Sequence, residues 1–269
     1  MSLIDAASAG SRDRLALRSD ADGIATLTLN RPAQFNCLSA ALLSELHTAI
    51  EEINQDRSVR AVVIAGAGKA FCAGHDLKEL RARRDRDFAQ DVFARFSHLM
   101  LALTRLPQPV IARVHGTAFA AGCQLVAQCD LAVASTAATF ATSGIHFGLF
   151  CNTPGVSLAR NVARKRAMEM LLTGESIDAE AALKMGLVNR VAAPERLDDE
   201  VATLTASILE KSPAVVSAGK RLFYRQIEAD LEEAYRIATD AMVENFMTDD
   251  AAEGIDAFSQ KRAPVWKIK

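Results

Sequence analysis

The sequence predicts an α/β protein whose last quarter is all helix. Three observations predict it. Short continuous apolar runs, bounded by turn residues, recur at Val59–Ala65, Val110–Val114 and Leu131–Ala134, the pattern of strands buried on both faces. Apolar residues at helical spacing fill the stretches between them. Beyond Pro194 only the helical spacing continues. Residues 1–194 are therefore expected to form an α/β core and residues 195–269 a helical region.

Taken in order, Ile24–Leu29 alternates apolar residues with Thr and ends at Asn30-Arg31-Pro32, a strand closed by a turn. Ser39 is a plausible N-cap for a helix through Asn54 carrying Leu42, Leu43, Leu46, Ile50 and Ile53 on one face. The Val59–Ala65 strand is broken by Gly66-Ala67-Gly68, and Asp76 caps a helix through Arg84. A helix from Arg86 to Leu106 stripes Phe88, Val92, Phe96, Leu99 and Leu103 before Pro107 and Pro109 stop it. After the strand Val110–Val114 comes a turn of small residues, a helix from Ala120, and the strand Leu131–Ala134. Thr139–Leu149 reads as strand and loop, and Pro154 as a helix opener. Gly174 and Gly186 punctuate helices at Arg164–Leu172 and Ala179–Met185, and Leu187–Val191 is the last strand. Many of the strands sit in short strand–strand–helix units.

Half of the 269 residues are hydrophobic and 24% are charged, the balance of a soluble globular protein with one large core. The net charge of −2 offers no attraction for nucleic acid or an acidic membrane surface, and no apolar run approaches the roughly 18 residues of a membrane span. Five cysteines, an odd number without metal-ligand spacing, read as reduced thiols, and no metal site is expected. The first 22 residues lack a secretory apolar stretch, and Asp5, Asp13, Asp20 and Asp22 argue against a transit peptide, so a cytoplasmic location is expected. The mixed run Arg81–Asp87 reads as a solvated helix face, with phosphate contact as the alternative.

Two loops leave backbone bare. One is Gly68–Leu77, between a buried strand and a helix; the other is Ala120-Ala121-Gly122, at a helix start. Bare N–H groups at such places suit an anion or a developing oxyanion. Lying side by side, the loops could aim one N–H each at a single carbonyl oxygen, an arrangement that lowers an enolate-forming barrier by roughly 3 kcal/mol per donor. Read singly, each is simply a tight strand-to-helix turn. The helix after the second loop presents Gln124, a neutral amide where acid–base chemistry wants a carboxylate.

Asn30-Arg31-Pro32 with Asn36, Lys69–Leu77, Gly122–Leu125 with Cys129-Asp130, Phe140-Ala141 with Gly148 and Pro154-Gly155-Val156, Leu172–Glu175, Ala181, Gly186–Val188 and Glu253–Arg262 occur in one order. On these motifs the chain, from about Ile24 to Lys267, resembles the crotonase, or enoyl-CoA hydratase/isomerase, superfamily. Gly74–Leu80, Ala120–Val126, Gly148–Cys151 with Thr153–Val156, and Lys261-Arg262 with Pro264-Val265-Trp266 are most similar to its enoyl-CoA hydratase domain-containing protein 3 group.

The resemblance implies a crotonase-like spiral of strand–strand–helix units, with a helical C-terminal region that makes trimers or a dimer of trimers. It implies an acyl-coenzyme A thioester as substrate, with coenzyme A only part of that substrate and no permanent cofactor. The oxyanion-hole amides would be those of His75 and Ala121. Ala73, Gly74, His75, Asp76, Leu77 and Lys78 would flank the coenzyme, Lys69 would approach its phosphates, and Phe258 and Lys261 would reach the coenzyme of a neighbouring subunit. The family's two catalytic glutamates fall on Gln124 and Gly144, which carry no proton-accepting side chain. Each such group contributes roughly 10²- to 10⁴-fold, so ordinary hydration is expected to be slow. Asn152 stands where dienoyl-CoA isomerases place a further acid.

His75, Ala121, Gln124, Gly144 and Cys151 are thus the candidate catalytic positions. His75 matches a histidine of methylmalonyl-CoA decarboxylase, and is otherwise a residue that orders its loop. Cys151 is a small apolar filler or a reactive thiolate; His146 reads as a structural or wall residue, and His47, His98 and His115 as structural. Phe88, Phe93 and Phe96 line an acyl tunnel or fill core. Three readings stay open: an enzyme working through a thioester enolate, a decarboxylase or thioester hydrolase using His75, and a non-catalytic acyl-CoA-binding protein.

Overall fold

The structure is a computed structural model that describes residues 14–267. Asp5 and Asp13, on which part of the leader argument rests, lie outside the described residues. Between residues 61 and 173 the chain three times runs strand, strand, helix. β3 (Ala61–Gly66) and β4 (Ala70–Cys72) lead to α2 (Leu77–Ala82) and α3 (Arg86–Arg105); β5 (Val110–Val114) and β6 (Thr117–Phe119) lead to α4 (Ala121–Gln128); β7 (Leu131–Ser135) and β8 (Thr139–Ala141) lead to α5 (Asn152–Asn161) and α6 (Arg164–Thr173).

The first strand of each unit enters one sheet and the second enters another. With β1 (Ala16–Ala21), β2 (Ile24–Leu29) and β10 (Arg190–Ala192), the first strands make a six-stranded sheet ordered β1-β2-β3-β5-β7-β10. With β9 (Ile177–Asp178), the second strands make the four-stranded sheet β4-β6-β8-β9. Val62 pairs in parallel with Val110, and Ile111 with Leu131, so the turns leaving β3 and β5 emerge on the same side. The observed architecture is the spiral of strand–strand–helix units that the resemblance implied.

β3 is apolar throughout because it is covered on both faces. Val62 and Ile64 join the main core with residues of α1 (Ala40–Gln55) and α3, while Ala61 and Val63 join a second cluster with Leu197, Val201 and Leu204 of α8 (Leu197–Leu209). Among the described residues helices alone follow position 196, and the first of them, α8, packs on the sheet. α9 (Pro213–Gln226) is pinned to the core by a buried cation. Lys220 Nζ pairs with Asp130 at 2.6 Å and donates to the Leu103 and Gln108 carbonyls, while Tyr224 Oη donates to the other Asp130 oxygen at 2.7 Å. α10 (Leu231–Phe246) and α11 (Asp249–Ser259) follow, and leave Tyr235, Met242, Phe246 and Phe258 exposed.

The structure differs from the sequence reading where elements are short. β1, β4, β6 and β9 went unread. β3 starts at Ala61, leaving Val59 buried in the approach. β10 is Arg190–Ala192 because Leu187 and Val188 are buried in the turn after α7 (Ala179–Met185). α5 opens at Asn152, with Pro154 inside its first turn. The caps were read correctly: Ser39 accepts from Leu42 N–H and Asp76 from Glu79 N–H. The run Arg81–Asp87 is exposed, with Arg83 over the Phe88 ring. The five cysteines are unpaired. Among the described residues no helix is long and apolar enough to cross a membrane.

Candidate active site

The first loop is tied down by Asn36. Its buried amide donates to the carbonyls of Ala67, Ala70 and Phe71, and its oxygen accepts from Arg31 N–H. Arg31 in turn donates to the Cys37 carbonyl and pairs with Asp76 at 2.9 Å. Leu38 N–H donates to the Gly74 carbonyl and Asp76 N–H to the Leu38 carbonyl. The second loop is fixed by Ala120 N–H donating to the Ala141 carbonyl. Ala120 takes the unusual positive φ of 49°, a strained turn of the kind that collects at functional sites.

The two loops lie against each other. Gly74, at φ 101°, has room for no side chain: a Cβ there would stand 3.0 Å from Ala120 Cβ and 3.4 Å from Ala121 N. A Cβ on Gly122 would collide with the Cys72 carbonyl, so α4 also packs directly on β4. Among the described residues, neither the His75 nor the Ala121 N–H has a hydrogen-bond acceptor.

A cavity of about 250 Å³ opens at this junction. Ala73, His75, Ala120 and Ala121 line it from the two loops, and Ser143, Gly144, Cys151 and Thr153 from the segment after β8. Leu77, Leu80, Phe93 and Phe150 make it apolar, and among the described residues no Asp, Glu, Lys or Arg contributes to the lining. The exposed side chains Phe147, Leu149 and Phe150 rim it, and went unread as site residues. Their signal was an apolar cluster on a non-repetitive segment.

His75 is held edge-on between Phe93 and Phe96, with ring centroids 5.1 and 5.0 Å away. Neither ring nitrogen makes a hydrogen bond. Burial, weakly opposed by the Leu38 carbonyl, pushes the imidazole pKa down to about 4, so the ring is neutral at pH 7. Phe93 lines the cavity, whereas Phe88 and Phe96 belong to the core.

Gln124 does not line the cavity. Residues 121–127 are all buried, and Gln124 Oε1 is left without a donor. At Gly144 the space for a side chain is already filled: a Cβ would stand 2.5 Å from the Leu149 oxygen and 2.8 Å from Cys151 Sγ. Burial pushes the Cys151 thiol above its ordinary range, with the Gly144 backbone amide opposing.

The expected coenzyme-binding residues divide. Ala73, His75, Leu77 and Ala121 line the cavity; Gly74 shapes it from behind. Asp76 does not line it, because its carboxylate is spent on Arg31 and on capping α2. Lys69 and Lys78 are exposed outside it. Phe258 is 85% exposed on α11 and Lys261 follows that helix at φ 54°, both away from this chain's cavity lining. His146 bonds the Gly174 carbonyl, His47 that of Arg95 and His115 that of Gly68.

Comparison with known proteins agrees with this fold. The profile of the Enoyl-CoA hydratase/isomerase family matches residues 19–269. The rat protein "Enoyl-CoA hydratase domain-containing protein 3, mitochondrial" is 44% identical over 256 residues, covering 95% of this chain and 85% of the relative. A crystal structure of enoyl-CoA hydratase from Mycobacterium smegmatis superposes with a TM-score of 0.93 at 56% identity, covering 94% of this chain and 99% of that one. The human enoyl Coenzyme A hydratase domain-containing protein 3 structure gives 0.91 at 45% identity, covering 94% and 100%.

Proposed function

The chain belongs to the enoyl-CoA hydratase/isomerase family, and from that premise we propose that its cavity binds an acyl-coenzyme A thioester and stabilises the thioester enolate with the His75 and Ala121 amides. The observation that carries this reading is the contact of Gly74 with the Ala120-Ala121 turn, which brings two unpartnered N–H groups to one apolar cavity. In a site that excludes water, such donors act at close to full strength on a developing negative charge.

The same site lacks what hydration needs. Among the described residues no carboxylate lines it, Gln124 is buried outside the lining, and Gly144 is bare. Turnover of crotonyl-CoA is therefore expected to be slow while coenzyme A thioesters bind. Calorimetry with butyryl-CoA together with a crotonyl-CoA hydration assay tests this. Rapid hydration sinks the account of Gln124 and Gly144, and failure to bind any thioester sinks the ligand class.

Loss of carbon dioxide from a malonyl-type thioester is a second reading, favoured by the apolar lining. A substrate carboxylate among Leu77, Phe93 and Phe150 loses hydration that neutral carbon dioxide does not require. His75, being neutral, does not hold that carboxylate as an ion pair. Methylmalonyl-CoA turnover separates this reading from a protein that only sequesters acyl-CoA.

The exposed apolar side chains of α9, α10 and α11, including Phe223, Met242, Phe246 and Phe258, support assembly through the C-terminal helices. We read the assembly as a trimer or dimer of trimers in which Phe258 and Lys261 reach the neighbouring coenzyme. Lys69 and Lys78, exposed beside the site, are read as contacts for its phosphates. Five unpaired cysteines suit the reducing cytoplasm expected from composition, while the rat relative's name places that protein in mitochondria.

A further inference from the structure

We propose that the Cys151 thiol is the proton carrier of this cavity, exchanging a proton with the α-carbon of the bound thioester. The proposal rests on the thioester reading above and names the group that does the acid–base work there.

Three observations lead to it. Of the side chains lining the cavity among the described residues, His75 and Cys151 are the ones that carry an ionisable group. His75 is disqualified by its setting: its ring is clamped between Phe93 and Phe96, and neither nitrogen is accessible or bonded. Cys151 lies at the cavity wall beside Gly144, with its sulfur where a side chain of residue 144 would begin. The absent side chain and the sulfur therefore claim one space, on the wall contributed by the segment after β8.

The electrostatic surroundings of the sulfur are uncharged. Cys123 of α4 is the titratable neighbour behind it, itself buried and held protonated, and His75 stands in the same cavity as a neutral ring. On its own segment, His146 is engaged with the Gly174 carbonyl. No carboxylate or cationic side chain lines the cavity. The thiol is thus the resting form at pH 7, suited to giving a proton rather than to attacking the thioester.

The exchange balances with water as the only other participant, the resting thiol first giving its proton to solvent. In the forward sense the thiolate takes the α-hydrogen: the C–H bond breaks, the S–H bond forms, and the electron pair passes to the thioester oxygen, where the two amides receive it. In reverse the S–H bond breaks, the α-carbon regains a hydrogen and the thiolate is restored. In deuterated water the thiol equilibrates with solvent, so each cycle leaves deuterium on the α-carbon.

Butyryl-CoA incubated with the full-length protein in deuterated buffer, followed by proton NMR, tests this. Wild-type exchange is expected to rise about tenfold per pH unit from pH 6.5 to 8.5, as the thiolate fraction grows. Cys151→Ala is expected to bind butyryl-CoA within about threefold of wild type and to lose at least about 10²-fold in exchange. Cys151→Ser, isosteric but far less acidic, is expected to fold and bind alike and to exchange no faster than Cys151→Ala. Undiminished exchange in Cys151→Ala, or a wild-type protein that binds butyryl-CoA and leaves its α-hydrogens in place, overturns the proposal. If the wild type does not bind butyryl-CoA at all, the thioester reading itself fails.

Discussion

Cys151 Sγ stands 2.8 Å from the point that a Cβ on Gly144 would occupy, and the Leu149 carbonyl oxygen stands 2.5 Å from the same point. Residue 144 is bare because its neighbours have filled the space. Introducing a side chain there forces the 143–151 segment to move, at a typical overpacking penalty of about 1–3 kcal/mol. Gly144→Ala is expected to lower stability by that amount in chemical denaturation. Gly144→Glu is expected to restore no hydratase activity, and a folded Gly144→Glu protein that hydrates crotonyl-CoA rapidly contradicts this packing argument.

Gly74 sets the distance between the two loops. Its φ of 101° disfavours any L side chain, and a Cβ would meet Ala120 and crowd the Ala121 amide. Gly74→Ala is expected to weaken butyryl-CoA binding about tenfold, or about 1.4 kcal/mol, by spreading the amides. Gly186→Ala serves as the control. It is also at positive φ, but it ends α7 and its nearest neighbour is 3.6 Å away. It should lose stability while leaving binding unchanged by calorimetry.

His75 makes stability depend on pH in a defined direction. Its folded pKa of about 4 lies below the ordinary histidine value of about 6.5. The unfolded chain therefore binds the proton more readily, and folding stability is full above pH 6.5. It declines as the pH falls from about 6.5 to about 4, by up to about 3 kcal/mol. His75→Phe removes the titration and the two unpartnered nitrogens, so its unfolding free energy should fall less between pH 7 and pH 4.5. Equal losses in the two proteins, measured by urea denaturation, refute the assignment.

Lys220 and Asp130 join α9 to the strands β5 and β7. Asp130 also accepts from Val110 N–H and Tyr224 Oη, so the cation sits within a fully bonded buried network. Lys220→Ala leaves Asp130 with its charge poorly compensated, and a loss of about 3–5 kcal/mol is expected in denaturant unfolding. Arg236, in exposed pairs with Glu233 and Asp240, should cost under about 1 kcal/mol when replaced by Ala.

The long elements were legible because their causes are local. The helix stripes of α1 and α3, the caps Ser39 and Asp76 and the apolar run of β3 each carry their signal within a few residues. β4 and β6 escaped because three residues carry no period; they exist as strands by pairing with each other and, for β6, with β8. The motifs likewise named the two loops, and Gly74 and Gly122 gain their meaning from what a Cβ would strike in a distant segment.

The sequence by itself therefore determined the class of fold and the order of its units, and its resemblance pointed to the positions expected to lack the family's carboxylates. Tertiary structure alone decided that Gln124 is buried outside the cavity lining, that Asp76 is occupied by Arg31, that His75 is neutral between two phenyl rings, and that Cys151 takes the space beside Gly144. The division has one physical cause. Backbone propensity and apolar periodicity act between near neighbours along the chain, whereas burial, protonation and steric room are set by atoms that folding brings from far away in it.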